Sequence, residues 1–463
     1  MMSPLTLKQA LEWVGARPEG PWQGDLQFSG VSTDTRKVRR GDLFVAIRGD
    51  NFDGHEFIDV AAQAGAVAVV VDRHEQKADI PQLVVTDTIC ALAALAGGIR
   101  SLSNARFVAV TGSSGKTTVR EMVAAILGRM GPTLVTEGNL NNHIGVPLTL
   151  FRLAPEHRYA VTELGASGLG EIAHTVAIAR PDVAILINAG EAHIEGFGGY
   201  QNIVRGKGEI IDGLGANGIA VLNFDDPAFA IWQQRAGHRK VRSVSGQGRR
   251  EADFRPTDVQ MDGPEIRFTA QGPNGWQCEI RLSLEGEHNI GNALMAIAAA
   301  QALGASDEAI QLGLAEVRAF KGRLQTLQLT PHLTLIDDSY NANPSSMKAA
   351  IKVLASQGGY RTAVLGAMAE LGQDSYVMHR EVGEFARTEG VDRLLTVGPD
   401  CEGYVAGFGA AAEQCATHED AVRRLFERLA DQQTVLVKGS RSSSMDRVVE
   451  AIKQKVNDIC CSG

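Results

Sequence analysis

Apolar residues run along this chain in short blocks, and the blocks alternate with amphipathic stretches. LFVAI (43–47) and AVAVVV (66–71) are continuous apolar runs that predict buried strands, with a helix over HEFIDVAAQAG between them. From about residue 104 the alternation becomes regular. FVAV leads through a glycine-rich turn into a helix of good formers, VREMVAAIL. Further strands are expected at YAVTEL (159–164), DVAILIN (182–188) and GIAVLN (218–223), with helical stretches between them. Parallel strands joined by crossover helices give this rhythm. Residues 241–284 change character: VRSVSG, ADFRPTDVQ, EIRFTA and CEIRLSL alternate, with turn residues between, and predict an antiparallel patch. Helix HNIGNALMAIAAAQALG follows. After about 328 a third rhythm begins: LTLIDDSY, a helix from Pro344, RTAVLGAM, a helix near His379, RLLTVG, then TVLVKGS before a last helix. The expected fold class is α/β in three domains, 1–104, 105–328 and 329–463. The central one is a parallel-sheet domain carrying the antiparallel patch, and the last is Rossmann-like.

The length of 463 residues suits three domains at roughly 150 residues each. The 51 glycines suit many tight strand-to-helix turns. The net charge of −9 comes without a basic block, which argues against a nucleic-acid surface. The first residues lack an apolar leader core, and runs such as AGAVAVVVD are too short to cross a bilayer. A soluble, cytoplasmic protein without a membrane partner is expected. The six cysteines (Cys90, Cys278, Cys401, Cys415, Cys460 and Cys461) form no C-x-x-C pair, and Cys460–Cys461 reads as an inert tail. No fixed-period repeat is present.

The turn in TGSSGKTT carries the first chemistry. Gly112 and Gly115 bracket it, Ser113 and Ser114 lie between, and Lys116, Thr117 and Thr118 open the helix. A helix N-terminus offers unpaired amides and a positive dipole end to a polyphosphate. A lysine there reaches the β- and γ-phosphates, and a hydroxyl holds Mg²⁺. An ordinary Gly-Ser turn is the bland alternative. The general phosphate-loop pattern has a glycine where this chain has Val110, so the strand runs one residue longer and the loop is shorter.

Other polar residues fall at strand ends and helix starts. Glu163 ends YAVTEL, where a carboxylate points into the ligand crevice of a parallel sheet, although a surface glutamate fits equally. His193, in NAGEAHIEGFGG, reads alone as structural; Lys207, on a helix, reads alone as a solubilising side chain. Asn289 and Asn292 share a helix face, suiting a base edge, each other or a cap. Asp338, Asn341 and Asn343 lie in IDDSYNANPSSM, a ligand loop or a cap before Pro344. Ser32, Thr35 and Arg36 offer hydroxyls and a guanidinium to a diphosphate, or form a polar surface loop.

TGSSGKTT after an apolar strand closely resembles the phosphate loop of the Mur ligase family, ATP-dependent amide-forming enzymes of peptidoglycan synthesis. The stretches AHIEGF around His193, HNIGNALMA and FKGRLQ also resemble that family. The resemblance implies ATP as co-substrate on Gly112 through Thr118, with Asn292 on adenine, Asp338 on ribose and Arg323 on phosphate at a domain hinge. It implies two Mg²⁺, served by Thr117, Glu163 and His193, with Lys207 carbamylated into an oxygen ligand. Lys116, Glu163, His193 and Lys207 are then the catalytic set.

The segment FSGVSTDTRKVRRGDLFVAIRG resembles the uridine-nucleotide domain of the two later ligases of that pathway. A D-N-P-R string, which serves the ligase adding the third residue, is missing, whereas VLGAMAELGQDSYVMHREVGE and VLVKGSRSSSMDRVVE resemble the branch adding D-Ala-D-Ala. The implied reaction joins that dipeptide to UDP-MurNAc-tripeptide through an acyl phosphate, in a monomer. Ser32, Thr35 and Arg36 would hold the UDP group, and Asn141, Asn142, Asn341 and Asn343 would contact substrate. The C-terminal domain would close on ATP and bind the incoming dipeptide. The third-residue ligase, a folylpolyglutamate synthase and a non-catalytic nucleotide binder are the alternatives; the STDTR segment argues against the folate enzyme.

Overall fold

The structure is a computed structural model that describes residues 2–49, 52–76, 79–262 and 265–461, the last three as backbone alone. The Cys460–Cys461 pair therefore lies outside the described side chains. Three sheets of five or six strands carry the chain, with a three-stranded antiparallel sheet beside the central one. The first has five strands in the order Arg17–Glu19, Gln82–Val84, Ala68–Val71, Asp42–Val45, Gly30–Ser32, parallel except at the Arg17–Glu19 edge. The two strands expected here are present. The helix between them is split, into a 3₁₀ turn Gly54–Phe57 capped by Asp53 and an α-helix Ile58–Ala64.

The central sheet is wholly parallel. Its order is Thr133–Val135, Tyr159–Glu163, Arg106–Thr111, Val183–Leu186, Ile219–Asn223, Lys240–Val244. The last strand corrects an expectation. VRSVSG does not belong to the antiparallel patch; Lys240–Val244 continues the parallel sheet, with Ile219 in register with Lys240. As an edge strand it is only half covered, so its pattern mimics a meander. The antiparallel sheet comprises Arg255–Asp262, Glu265–Gln271 and Gln277–Leu282. Its apolar face (Ile266, Phe268, Ile280, Leu282) packs with helix His288–Ala302 and the phosphate-loop helix Lys116–Gly128 in one core. Helix His288–Ala302 is apolar nearly all round, as a fully enclosed helix must be.

The C-terminal sheet runs Gln325–Thr330, Leu333–Asp338, Gln433–Lys438, Tyr360–Gly366, Arg393–Val397, Ala412–Cys415, parallel except for its first strand. Gln325–Thr330 crosses residue 328, so this sheet starts at Gln325. In the central sheet, Arg106–Thr111 lies between Tyr159–Glu163 and Val183–Leu186, with crossovers leaving in both directions. The carboxyl ends of strands at such a reversal open a crevice. The phosphate loop, Glu163 and the loop leading to His193 all emerge there.

Candidate active site

Strand Arg106–Thr111 includes Val110 and continues to Thr111, whose hydroxyl donates to the Leu164 carbonyl at 2.7 Å. The turn then needs both glycines. A Cβ on Gly112 would lie 3.0 Å from Ile187, and Gly115 has φ +80° with a Cβ position 2.9 Å from Asn292 Oδ1. The amides of Ser113 and Ser114 converge on one acceptor, donating to Asn188 Oδ1 at 3.0 and 2.9 Å. Lys116 Nζ donates to the Gly112 carbonyl at 2.8 Å, and desolvation holds its ammonium below the usual lysine range. The loop thus gathers donors around one point, as a polyphosphate requires.

Glu163 is buried at the end of its strand. Its Oε2 accepts from Thr117 Oγ1 at 3.0 Å and Arg120 Nη1 at 3.1 Å; its Oε1 accepts from Asn141 Nδ2 at 2.8 Å. Arg120 escaped sequence reading, although its place one turn after Thr117 puts it on the same helix face. The neighbouring Asn142 accepts the Gly145 amide on Oδ1 at 2.8 Å, at the start of the next helix. Thr117 and Glu163 are adjacent hard oxygen donors, and Mg²⁺ commonly takes one or two carboxylates, substrate phosphates and water. These two residues fit one Mg²⁺. Among the described residues no group of three or more His, Cys, Asp or Glu is placed for a metal.

His193 adopts a left-handed backbone, φ +59°, at the start of the short helix Ile194–Phe197, and its Nδ1 pairs with the Glu370 carboxylate. Lys207 corrects the solubilising reading. Helix Tyr200–Asp212 turns it inward; it is 1% exposed, donates to the Ala166 carbonyl at 3.2 Å and sits 5.3 Å from the Phe197 ring centre. Burial, aided by the Lys116 charge, lowers it from the ordinary 10.5 to about 7. The charged form is disfavoured because it leaves water.

Asn292 Nδ2 donates to Asn289 Oδ1 at 2.9 Å, and Asn289 donates to the Glu285 carbonyl at 2.7 Å. Arg323 lies over the Tyr340 ring, 4.2 Å from its centre. Asp338 accepts from Lys438 Nζ at 2.6 Å and from the Leu324 amide at 3.0 Å. Burial raises the Asp338 carboxyl, and the Lys438 ammonium offsets this. Lys438 was unassigned in the sequence; only the pairing of strands Leu333–Asp338 and Gln433–Lys438 brings it to the site. Asn343 caps helix Pro344–Ala355 and also donates to Ser114 Oγ at 3.1 Å, so the cap touches the phosphate loop.

One cavity of about 570 Å³ lies where the central and C-terminal sheets face each other. Residues 113–118, Asn141, Asn142, Glu163 and His193 line it from the central side. Asn292 and Arg323 line it too, with Asp338, Asn341, Asn343 and Lys438. Gly112 and Lys207 are not among the lining residues. Nor are Ser32, Thr35 and Arg36: the Ser32 hydroxyl donates to the Asp34 carbonyl, Thr35 opens a 3₁₀ turn, and Arg36 pairs with Asp34 at 2.8 Å.

Three family models match successive segments: "Mur ligase family, catalytic domain" at residues 27–113, "Mur ligase middle domain" at 110–300, and "Mur ligase, glutamate ligase domain" at 322–441. The chain is 46% identical to the UDP-N-acetylmuramoyl-tripeptide–D-alanyl-D-alanine ligase of Escherichia coli (strain K12), over 98% of this chain and 99% of that one. The crystal structure of MurF from Acinetobacter baumannii superposes with a TM-score of 0.92 at 35% identity, covering 98% and 99% of the two chains. MurF ligase from Thermotoga maritima in complex with ADP gives 0.84 at 30% identity, covering 93% and 98%. Matched in three consecutive segments and along nearly its whole length, the chain belongs to the Mur ligase family.

Proposed function

We propose that the protein is an ATP-dependent ligase that joins D-Ala-D-Ala to UDP-MurNAc-tripeptide. The carrying observation is the cavity in which the phosphate loop and Glu163 face Arg323, Asp338 at the end of a C-terminal strand, and Asn343 at the helix cap that follows it. A nucleotide and a second anion would meet there.

In the proposed reaction a terminal carboxylate oxygen of the tripeptide attacks the γ-phosphorus of ATP. The new O–P bond forms as the bond to the β-phosphate oxygen breaks, giving an acyl phosphate and ADP. The dipeptide amine then attacks the acyl carbon, loses a proton, and phosphate leaves. The first step brings two anions together, so cations must offset their repulsion. Mg²⁺ on Thr117 and Glu163, with a second at His193, would supply that charge. Lys116 would turn from the Gly112 carbonyl to the phosphates, and the Ser113 and Ser114 amides would exchange Asn188 for phosphate oxygens. Asn292 would hold adenine, Asp338 ribose and Arg323 phosphate. Asn141 would steady Glu163 beside the peptidyl end, with Asn142, Asn341 and Asn343 around the acceptor.

Ser32, Thr35 and Arg36 would take the UDP group in a first domain spanning 1–104, beside the ATP-binding domain 105–328 and the dipeptide-binding domain 329–463. Carbamylation of Lys207 would convert its neutral amine into an oxygen donor. A nucleotide-linked substrate would suit a cytoplasmic reaction. The described residues contain no helix long and apolar enough to cross a membrane. Tripeptide labelled with ¹⁸O in its terminal carboxylate tests the chemistry: one label should appear in the released phosphate. Phosphate carrying no label would overturn the acyl-phosphate route.

A further inference from the structure

The contact between His193 and Glu370 joins two elements that no sequence pattern relates. His193 stands in the loop after central strand Val183–Leu186; Glu370 stands in the loop after C-terminal strand Tyr360–Gly366. Nδ1 of His193 is paired with the Glu370 carboxylate, and the Glu195 amide donates to the Glu370 carbonyl at 3.2 Å. Ile194, between them in the chain, packs against both the central and the C-terminal cores. Both residues also hold left-handed backbones, φ +59° and +61°, a conformation that side-chain-bearing residues adopt rarely. Strained residues persist where the surroundings over-determine them.

The pair is partly exposed, and exposed ion pairs add little stability. What the contact supplies is direction. A carboxylate on Nδ1 fixes the proton there and leaves Nε2 as the nitrogen with a free lone pair. His193 lines the cavity, so Nε2 becomes the atom available to it.

We propose that Glu370 is the positioning residue for His193, so that the C-terminal domain sets the orientation of a cation-site group that the central domain carries. This rests on the function proposed above for His193. Docking of the two domains then completes the phosphate end of the site as well as enclosing it.

Glu370→Gly removes the carboxylate and tolerates the left-handed backbone. It should lower kcat about 10–100-fold and raise the Mg²⁺ needed for half-maximal rate, with KM for ATP within about twofold. Glu370→Gln keeps an acceptor oxygen and should restore most of the rate. In a His193→Gln background, Glu370→Gly should cost no more than about twofold further, because coupled residues are non-additive. ¹⁵N NMR of histidine-labelled protein at pH 8, without substrate or metal, should show His193 protonated on Nδ1 in the native chain and on Nε2 in Glu370→Gly. The same tautomer in both, or losses that multiply in the double variant, would overturn the assignment. The tautomer is read without turnover, so a chain that used other substrates would still answer it.

Discussion

Lys207 offers the sharpest quantitative consequence of the fold. An ordinary lysine titrates near 10.5, whereas its burial brings this one to about 7. At pH 7.5 roughly three-quarters of Lys207 amines are then neutral, against about one in a thousand for an exposed lysine. Carbamylation consumes a neutral amine, so ¹³C-bicarbonate should label this position selectively. A ¹³C NMR titration at constant dissolved CO₂ should show one strong carbamate resonance at pH 8, absent in Lys207→Met. It should be far weaker at pH 6, by well over tenfold short of saturation, because acid protonates the amine and also opposes the proton release that accompanies carbamate formation. The shift also enters stability with a definite sign. The folded value lies below the unfolded one, so between pH 7 and 10.5 the unfolded chain binds more protons, and stability rises with pH across that window. Below pH 7 the full penalty is present, at most about 5 kcal/mol at 1.36 kcal/mol per pH unit. In CO₂-free buffer, Lys207→Met should therefore raise the unfolding temperature most at pH 6 and less at pH 9. A carbamate signal that survives the substitution, or a Lys207→Met gain independent of pH, would refute the reasoning.

Further outcomes follow from individual contacts. Lys116→Met should lower phosphate release by about 10²–10³-fold, read by a coupled assay, since it removes the cation nearest the transferred group. Gly115→Ala forces a side chain at φ +80° and 2.9 Å from Asn292 Oδ1; a loss of about 1–3 kcal/mol in thermal unfolding and weaker ADP binding by calorimetry are expected. Lys438→Met leaves the Asp338 carboxylate buried and unpaired, which should cost about 3–5 kcal/mol, while adding Asp338→Asn should recover part of it.

Much of this site is local in sequence. Strand, turn, lysine and hydroxyl of the phosphate loop are contiguous, and the strand-helix rhythm of all three sheets follows from apolar runs. What escaped depends on pairing across the chain. Lys240–Val244 carries an alternation that an edge of a parallel sheet and a meander share, and only its partner Ile219–Asn223 decides between them. Lys438 reaches Asp338 across a hundred residues, and Glu370 reaches His193 across two domains. Taken without the family resemblance, Lys207 reads as a surface lysine, because only the packing of helix Tyr200–Asp212 shows which face is buried. Asn343 shows the converse: the cap expected before Pro344 is present, and the same side chain still touches Ser114 of the phosphate loop, so capping does not take it away from the site.

The central claim is that one cavity couples ATP cleavage to the joining of a peptide carboxylate and a dipeptide amine. Phosphate release should be measured with ATP and Mg²⁺ over a matrix of acceptors and donors. The account predicts release only when UDP-MurNAc-tripeptide and D-Ala-D-Ala are both present, with a UDP-MurNAc-pentapeptide product by mass spectrometry. Release with UDP-MurNAc-dipeptide and a diamino acid, or nucleotide binding without release under any pairing, would contradict it.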